Sequence, residues 1–118
     1  MDELIHVVTG PISLDRISEF AATRFGDLVK AVVDVEQGIM AIGGEMHADE
    51  EALLIEHGAR QSDLWGINLY PAEHGEPDWI EYDSMINVRP AQGNRTRGVD
   101  DPDLRARIAV IVERLVVR

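Results

Sequence analysis

The spacing of apolar residues near the start of the chain predicts a short strand followed by a helix. The apolar run Ile5–Val8 indicates the strand. Ser13 is typical of a helix N-cap, and apolar residues then recur at helical spacing. Because Gly26 suits the left-handed backbone that closes many helices, the pattern predicts a helix over roughly residues 14–25.

The next segment changes to period two, which is typical of strands. Residues 28–35 place valines and an alanine on one face, with Lys30 and Asp34 on the other. The pair Gln37-Gly38 then separates this strand from a second apolar run over residues 39–42. A glycine in a two-residue connection favours a tight turn, so we expect a β-hairpin.

A short helix and a second hairpin are predicted in the middle of the chain. The helix covers residues 48–57, and its acidic first turn suits the helix dipole. Alternating apolar and polar residues predict strands over 64–70 and 79–88, joined by a loop over 71–78 that is rich in turn-forming residues.

The last predicted element is a helix that begins with Asp101 as its N-cap and Pro102 in its first turn. Its buried stripe consists of Leu104, Ile108, Ile111 and Leu115. The element order is therefore β-α-ββ-α-ββ-α. It predicts a single α+β domain over residues 1–118, with a mainly antiparallel sheet and helices packed on one face.

Composition narrows the class of protein. With 118 residues, 45% of them hydrophobic and 28% charged, the chain is typical of one folded domain rather than a disordered segment. The absence of cysteine excludes disulfides and thiolate chemistry. No segment approaches the roughly 18 consecutive apolar residues of a membrane span. Asp2 and Glu3 are acidic where a signal peptide is basic, so we expect a cytoplasmic protein without membrane association.

Charge is distributed unevenly along the chain. Residues 1–88 contain 18 acidic and 4 basic residues, a balance of −14, whereas residues 89–118 contain 4 acidic and 7 basic residues, a balance of +3. An acidic body repels phosphates and argues against nonspecific nucleic-acid binding. The basic end is suited either to a small anionic ligand or to neutralising the acidic body, within one chain or across a dimer.

The polar segment from Arg89 to Asp100 is the strongest candidate for a functional loop. Its glycines and Asn94 permit left-handed backbone, which can expose N–H groups to an anion, and Arg95 and Arg97 add positive charge. The segment contains neither a Walker loop nor a dinucleotide-binding fingerprint. The alternative is that these arginines form surface ion pairs.

Two further groups of polar residues are candidate sites. The cluster Glu45, His47 and Asp49 has the side-chain types that bind divalent metals, and helix capping by Asp49 among solvated acids is the alternative. A polar sheet face, suited to a small ligand or to acid–base catalysis, is the other group, and an ordinary solvated face is the alternative. It comprises Asp83, Asn87 and Arg89 on one strand, with Asn68 and Tyr70 on its neighbour.

The final helix is apolar on more than one side, because four valines lie outside the buried stripe: Val110, Val112, Val116 and Val117. A helix that is apolar on most sides must be buried on most sides. It is therefore either central in the core or an interface between subunits, and we expect a homo-oligomer that forms through this helix.

Four stretches of the chain resemble a small bacterial family described only as a domain of unknown function: Val29–Glu45, His47–Leu54, Asp63–Pro71 and Tyr82–Pro102. The resemblance spans nearly the whole chain. It implies a stand-alone protein of this length, and it carries no known activity, ligand or catalytic residue. A recurrent stretch of the form INxRPxQxNR coincides with the polar loop and draws attention to Arg89, Asn94 and Arg95.

These observations favour a binding or regulatory protein with a polar, anion-binding site at the arginine loop, and they indicate no cofactor. The alternative is a small hydrolytic or metal-assisted enzyme that uses Asp83 together with Glu45, His47 and Asp49.

Overall fold

The computed structural model describes residues 5–118, which form three α-helices and two β-sheets. The strands are β1 His6–Val8, β2 Ile12–Ser13, β3 Val29–Asp34, β4 Ile39–Ile42, β5 Leu64–Leu69, β6 Ile80–Glu81 and β7 Val116–Val117. The helices are α1 Leu14–Arg24, α2 His47–Glu56 and α3 Pro102–Leu115. Within this described range, every helix is too short or too polar to cross a bilayer.

The main sheet has five strands in the order β1-β4-β3-β5-β6, and every neighbouring pair is antiparallel. β2 and β7 form a separate parallel pair. The prediction of an α+β fold with a mainly antiparallel sheet is confirmed. The predicted β3–β4 hairpin is also present, and Gly38 takes a positive φ of 71° in its turn.

The predicted starts of the first and last helices are confirmed by their caps. The Ser13 hydroxyl accepts a hydrogen bond from the Arg16 backbone N–H at 3.1 Å. The Asp101 carboxylate accepts one from the Asp103 N–H at 2.9 Å, and Pro102 occupies the first helical position. Each cap satisfies an N–H group that the helix itself leaves without a partner.

Helices cover both faces of the sheet, so the expectation that they all pack on one face is wrong. Side chains of α1 and α3, including Ile17 and Ile108, pack with Ala31, Val33 and the same-facing residues of β4 and β5. Leu54 of α2 instead packs with Val32, Ala41 and Leu64, which point to the opposite side of their strands. Strands that are apolar on both faces require cover on both.

The start of α2 also differs from the predicted cap. Met46 occupies the N-cap position and makes no side-chain hydrogen bond there, and Asp49 lies in the first turn. The carboxyl group of Glu50 instead reaches back and accepts a hydrogen bond from the Gly44 N–H at 2.8 Å. Glu50 is fully buried, and burial raises the pKa of its side chain well above the usual value.

The predicted long strand over residues 79–88 is wrong beyond Glu81. Only Ile80–Glu81 pairs with β5, and a 3₁₀ turn at Met85–Asn87 follows. The Ser84 hydroxyl caps this turn by accepting a hydrogen bond from the Ile86 N–H at 3.2 Å. Alternation of polar and apolar residues indicates which side chains are buried, but it does not show which group pairs with the neighbouring strand. Here the Asn87 side chain, in place of a strand backbone, is the partner of β5.

The C-terminal valines are divided between the core and the surface. Val112 is fully buried and Val116 is 4% exposed, whereas Val110 is 65% exposed. The helix ends at Leu115, after which Val116 and Val117 pair with β2. Two of the four extra valines are therefore buried within the chain, Val110 and Val117 are exposed, and self-association through α3 stays a prediction.

Candidate functional site

Arg89 attaches the polar loop to the body of the protein. Its guanidinium donates hydrogen bonds to the backbone carbonyls of Ile86 at 2.8 Å, Gln61 at 2.9 Å and Leu64. The group also lies 3.4 Å from a Glu51 carboxylate oxygen. Because these partners occupy the guanidinium donors, the contacts of Arg89 are those of a structural residue.

Asn87 supplies the partner that β5 lacks where β6 ends. Its side-chain Oδ1 accepts a hydrogen bond from the Gly66 N–H at 2.8 Å, and its Nδ2 donates to the Gly66 carbonyl at 2.9 Å. The same Nδ2 donates to the Arg97 carbonyl at 2.9 Å. The amide therefore pairs with a strand residue as a backbone peptide would, and the side chain is fully buried.

Asn94 organises the loop in a similar way. Its Nδ2 donates to the carbonyls of Asn87 and Gly98, both at 2.8 Å, and its Oδ1 accepts from the Asp100 N–H at 2.8 Å. The side chain is buried. Asn87 and Asn94, two of the three asparagines that the sequence suggested as ligand contacts, are thus occupied by backbone groups.

The arginines of the loop have separate surroundings. Arg97 donates from Nε to an Asp83 carboxylate oxygen at 2.7 Å, whereas Arg89 lies against Glu51. Arg95 is exposed, and within residues 5–118 its side chain has no hydrogen-bond or ion-pair partner. Pairing with Asp83 and Glu51 fits the alternative in which the arginines neutralise the acidic body.

A cleft of about 460 Å³ lies where the end of β5 meets the start of α2. Its lining includes three residues that the sequence analysis selected on separate segments: His47, Asn68 and Asp83. Arg97 contributes to the same lining. Exposed apolar side chains also border the cleft, namely Phe25, Met46 and Met85.

Asn68 is the central polar residue of this cleft. It is 7% exposed, and its Nδ2 donates to a Glu81 carboxylate oxygen at 2.9 Å and to the Asp83 carbonyl at 3.3 Å. These two acceptors determine which end of the amide carries nitrogen. Its Oδ1 is buried near the His47 ring, and no donor among the described residues meets hydrogen-bond geometry with it. Such an unpaired acceptor costs about 1–3 kcal/mol.

Tyr70 and Glu81 extend the polar network from Asn68. The Tyr70 hydroxyl donates to the same Glu81 Oε1 at 2.9 Å. Burial, together with this hydrogen bond to a carboxylate, raises the pKa of Tyr70 to about 12. The phenol therefore stays protonated and remains a donor at neutral pH.

His47 is held in a defined tautomer. Its Nε2 lies 2.8 Å from the Ile67 carbonyl oxygen, which can only accept, so Nε2 carries the hydrogen. Burial lowers the pKa of His47, and the positive charge of Lys30 adds to this effect, although hydrogen bonding to the Ile67 carbonyl and to the nearby Asn68 side chain opposes it. The imidazole is therefore neutral at pH 7 and keeps a lone pair on Nδ1.

The predicted metal cluster is not assembled. His47 points towards β5, Glu45 is exposed and Asp49 is partly exposed. Across the described range, His, Asp and Glu side chains nowhere converge in a group of three or more that could hold a metal ion. The three residues are close in sequence but differ in burial, since His47 is buried whereas Glu45 is exposed.

Lys30 is one of the cleft residues that were missed from the sequence, together with Glu81. It is the only lysine of the chain, it is half-buried, and its ammonium lies 5.2 Å from the centre of the Phe25 ring. It makes no ion pair or hydrogen bond within residues 5–118. The period-two pattern of the sequence places Lys30 on the polar face of β3, but the alignment of Lys30 with Asn68 depends on the pairing register of β3 and β5.

Comparison with known proteins gives a family but no activity. No curated protein and no solved structure matches the chain. The model of a family described as "Protein of unknown function (DUF5674)" matches residues 6–115, which include every residue of the cleft. The chain therefore belongs to the DUF5674 family.

Proposed function

We propose that this protein binds a small polar ligand in the cleft around Asn68. The observation that carries the proposal is Asn68, which lines a cleft of about 460 Å³ and whose buried Oδ1 has no hydrogen-bond partner among the described residues. Buried polar atoms in folded proteins nearly always have partners. A ligand that donates a hydrogen bond would satisfy this one.

The chemistry of the cleft suits recognition of a polar molecule. Lys30 and the neutral Asn68 and Tyr70 side chains provide donors and acceptors, while Glu81 and Asp83 add negative charge. A small number of oriented polar groups beside apolar walls is typical of ligand sites. The polar loop contributes Arg97 to the lining of the cleft, and the Arg97 carbonyl accepts a hydrogen bond from the buried Asn87 side chain.

NMR spectroscopy of the ¹⁵N-labelled protein tests this proposal. A library of amino acids, amines, carboxylates, sugars and nucleosides is added to the protein, and amide resonances are followed. We expect saturable shifts of the Asn68 side-chain amide and of Met46 and Met85, with little change at Arg95 and Thr96. If no compound perturbs the cleft, or if compounds perturb the polar loop alone, the proposal fails.

Thermal unfolding provides an independent measure of the same binding. A compound present at 100 times its dissociation constant, and bound only by the folded state, adds about 2.7 kcal/mol of stability. Any compound found by NMR should, at that ratio, raise the free energy of unfolding by this amount, and the melting temperature should rise accordingly. A compound that shifts resonances without stabilising the fold would indicate nonspecific contact.

General-base catalysis by His47 is a second candidate function. It is favoured by the fixed tautomer, which leaves an unprotonated Nδ1 in a residue that borders the cleft beside Asp83. Chromogenic esters, amides and phosphoesters test it. Turnover that is lost in His47→Gln, with unchanged unfolding free energy, would support catalysis. Equal turnover in the wild type and the variant would contradict it.

A further inference from the structure

Three polar residues form a row across the sheet at the cleft. Lys30 on β3 is the register partner of Asn68 on β5, and Asn68 is the register partner of Glu81 on β6. Neighbouring strands are about 4.8 Å apart, so the backbones at the two ends of the row are about 10 Å apart. A cation, an amide and a carboxylate therefore follow one another along a line.

The two ends of this row have unused binding capacity of opposite sign. Within residues 5–118, the Lys30 ammonium has no hydrogen bond or ion pair, although it lies over the Phe25 ring. Glu81 uses Oε1 to bind both Asn68 and Tyr70, and its other oxygen has no partner in the same range. Asn68 adds the unpaired Oδ1.

The remaining charges of the cleft offset each other. Arg97 and Asp83 form an ion pair at 2.7 Å, and His47 is neutral at pH 7 because burial lowers its pKa. A purely anionic ligand would satisfy Lys30 but would leave the Asn68 acceptor unmet and would face Glu81. A purely cationic ligand would face the Lys30 ammonium. A ligand with both charges satisfies both ends.

The apolar side chains at the border of the cleft indicate that the ligand also has an apolar part. Met46 is 55% exposed and Met85 is 66% exposed, and both lie beside the cleft. Methionine side chains are flexible and adapt to apolar groups of different shape. A ligand whose apolar part covers them would remove this surface from water.

We propose that the ligand is a free amino acid with an apolar side chain, bound as a zwitterion, an inference that rests on the proposed function of the cleft. Its carboxylate contacts Lys30, its ammonium donates to Asn68 Oδ1 and Glu81, and its side chain packs against Met46 and Met85. The row of alternating charge is thus the complement of the amino-acid backbone.

The single lysine allows a direct test. Reductive methylation with ¹³C-formaldehyde labels only the Lys30 side chain and the N-terminal amine, and the methylated lysine keeps its positive charge. Leucine, methionine, phenylalanine and valine are titrated against this protein. Leucinamide, which lacks the carboxylate, and 4-methylpentanoate, which lacks the ammonium, are the matched probes. We expect saturable shifts of the Lys30 methyl resonance with the amino acids.

Affinities are measured by calorimetry on the unmodified protein. Each matched probe loses a charge-assisted contact, so we expect binding at least about tenfold weaker than that of leucine. Lys30→Met should weaken leucine binding by a similar factor. Arg95→Met removes the same charge from an exposed position outside the cleft and should leave affinity unchanged.

A variant at the Glu81 end of the row keeps the inference testable if Lys30→Met does not fold normally. If Lys30→Met has an altered unfolding curve, Glu81→Gln takes its place, with Glu56→Gln as the exposed control. Leucine binding that falls in Glu81→Gln and not in Glu56→Gln supports the proposal. Equal affinities in these two variants overturn it.

The outcomes separate this inference from the broader one. If leucinamide or 4-methylpentanoate binds as tightly as leucine, or if only other library compounds bind the cleft, the zwitterion inference is overturned and the proposed function stands. If neither the amino acids nor the library perturb Lys30 or Asn68, both are overturned.

Discussion

Replacing Asn87 by alanine should destabilise the fold strongly without changing any group that borders the cleft. The substitution removes three hydrogen bonds, two to Gly66 and one to the Arg97 carbonyl. Each contributes about 1 kcal/mol net, and a buried backbone group left without a partner costs about 1–3 kcal/mol. Since Gly66 is buried, we expect a loss of about 3–5 kcal/mol.

This loss would be a large part of the total stability, which for a domain of this kind is about 5–15 kcal/mol. Urea unfolding, followed by the fluorescence of Trp65 and Trp79, measures it. Gln92→Ala is the matched control, because it removes an amide from an exposed position of the same loop. We expect that control to change stability by no more than about 1 kcal/mol.

Two results would refute the reasoning about Asn87. A loss below about 1 kcal/mol would mean that its amide does not complete the edge of β5. An unchanged unfolding curve combined with lost ligand binding would restore the role that the sequence suggested, in which Asn87 contacts the ligand directly.

Other predictions concern Glu50, Gly66 and Val112, which are buried and do not line the cleft. Burial raises the pKa of Glu50 in the folded state, so its contribution to stability is complete below its ordinary pKa of 4.5 and is lost as pH rises. Glu50→Gln should therefore stabilise the protein at pH 7 and lose this advantage near pH 4, and a pH-independent difference would contradict the account. Val112→Glu should unfold the chain, because the position is fully buried, whereas Val110→Glu should change stability by less than about 0.5 kcal/mol, as circular dichroism and urea titration can measure. Gly66→Ala places a methyl group 2.5 Å from the Ser84 Cβ, so we expect a loss of about 1–3 kcal/mol by urea unfolding, and a neutral result would contradict the close packing described.

Local patterns predicted most of the secondary structure. The caps at Ser13 and Asp101 and the alternation in β3 and β5 depend on neighbours in sequence, and these predictions are confirmed. The strand over 79–88 was predicted by the same alternation and ends early, because Asn87 pairs with β5 through its side chain. No local sequence pattern distinguishes an asparagine whose side chain pairs with a strand from an asparagine on a solvated sheet face.

The candidate site was predictable only in part. Asn68 and Asp83 were selected from alternating polar positions, and both border the cleft. Lys30 and Glu81 were missed, because their alignment with Asn68 arises from strand register, which is a long-range property. The polar loop attracted attention through its arginines, yet Arg89 is occupied by backbone carbonyls that no sequence pattern indicates.

A crystal structure of the protein grown with saturating leucine would show whether the cleft binds an amino acid and in which orientation. The proposed binding mode predicts density for the amino acid in the cleft, with a donor atom within about 3 Å of Asn68 Oδ1 and a carboxylate oxygen at a similar distance from Lys30. Leucine bound at the polar loop near Arg95, or a cleft without leucine in which Asn68 Oδ1 pairs with a protein group, would contradict it.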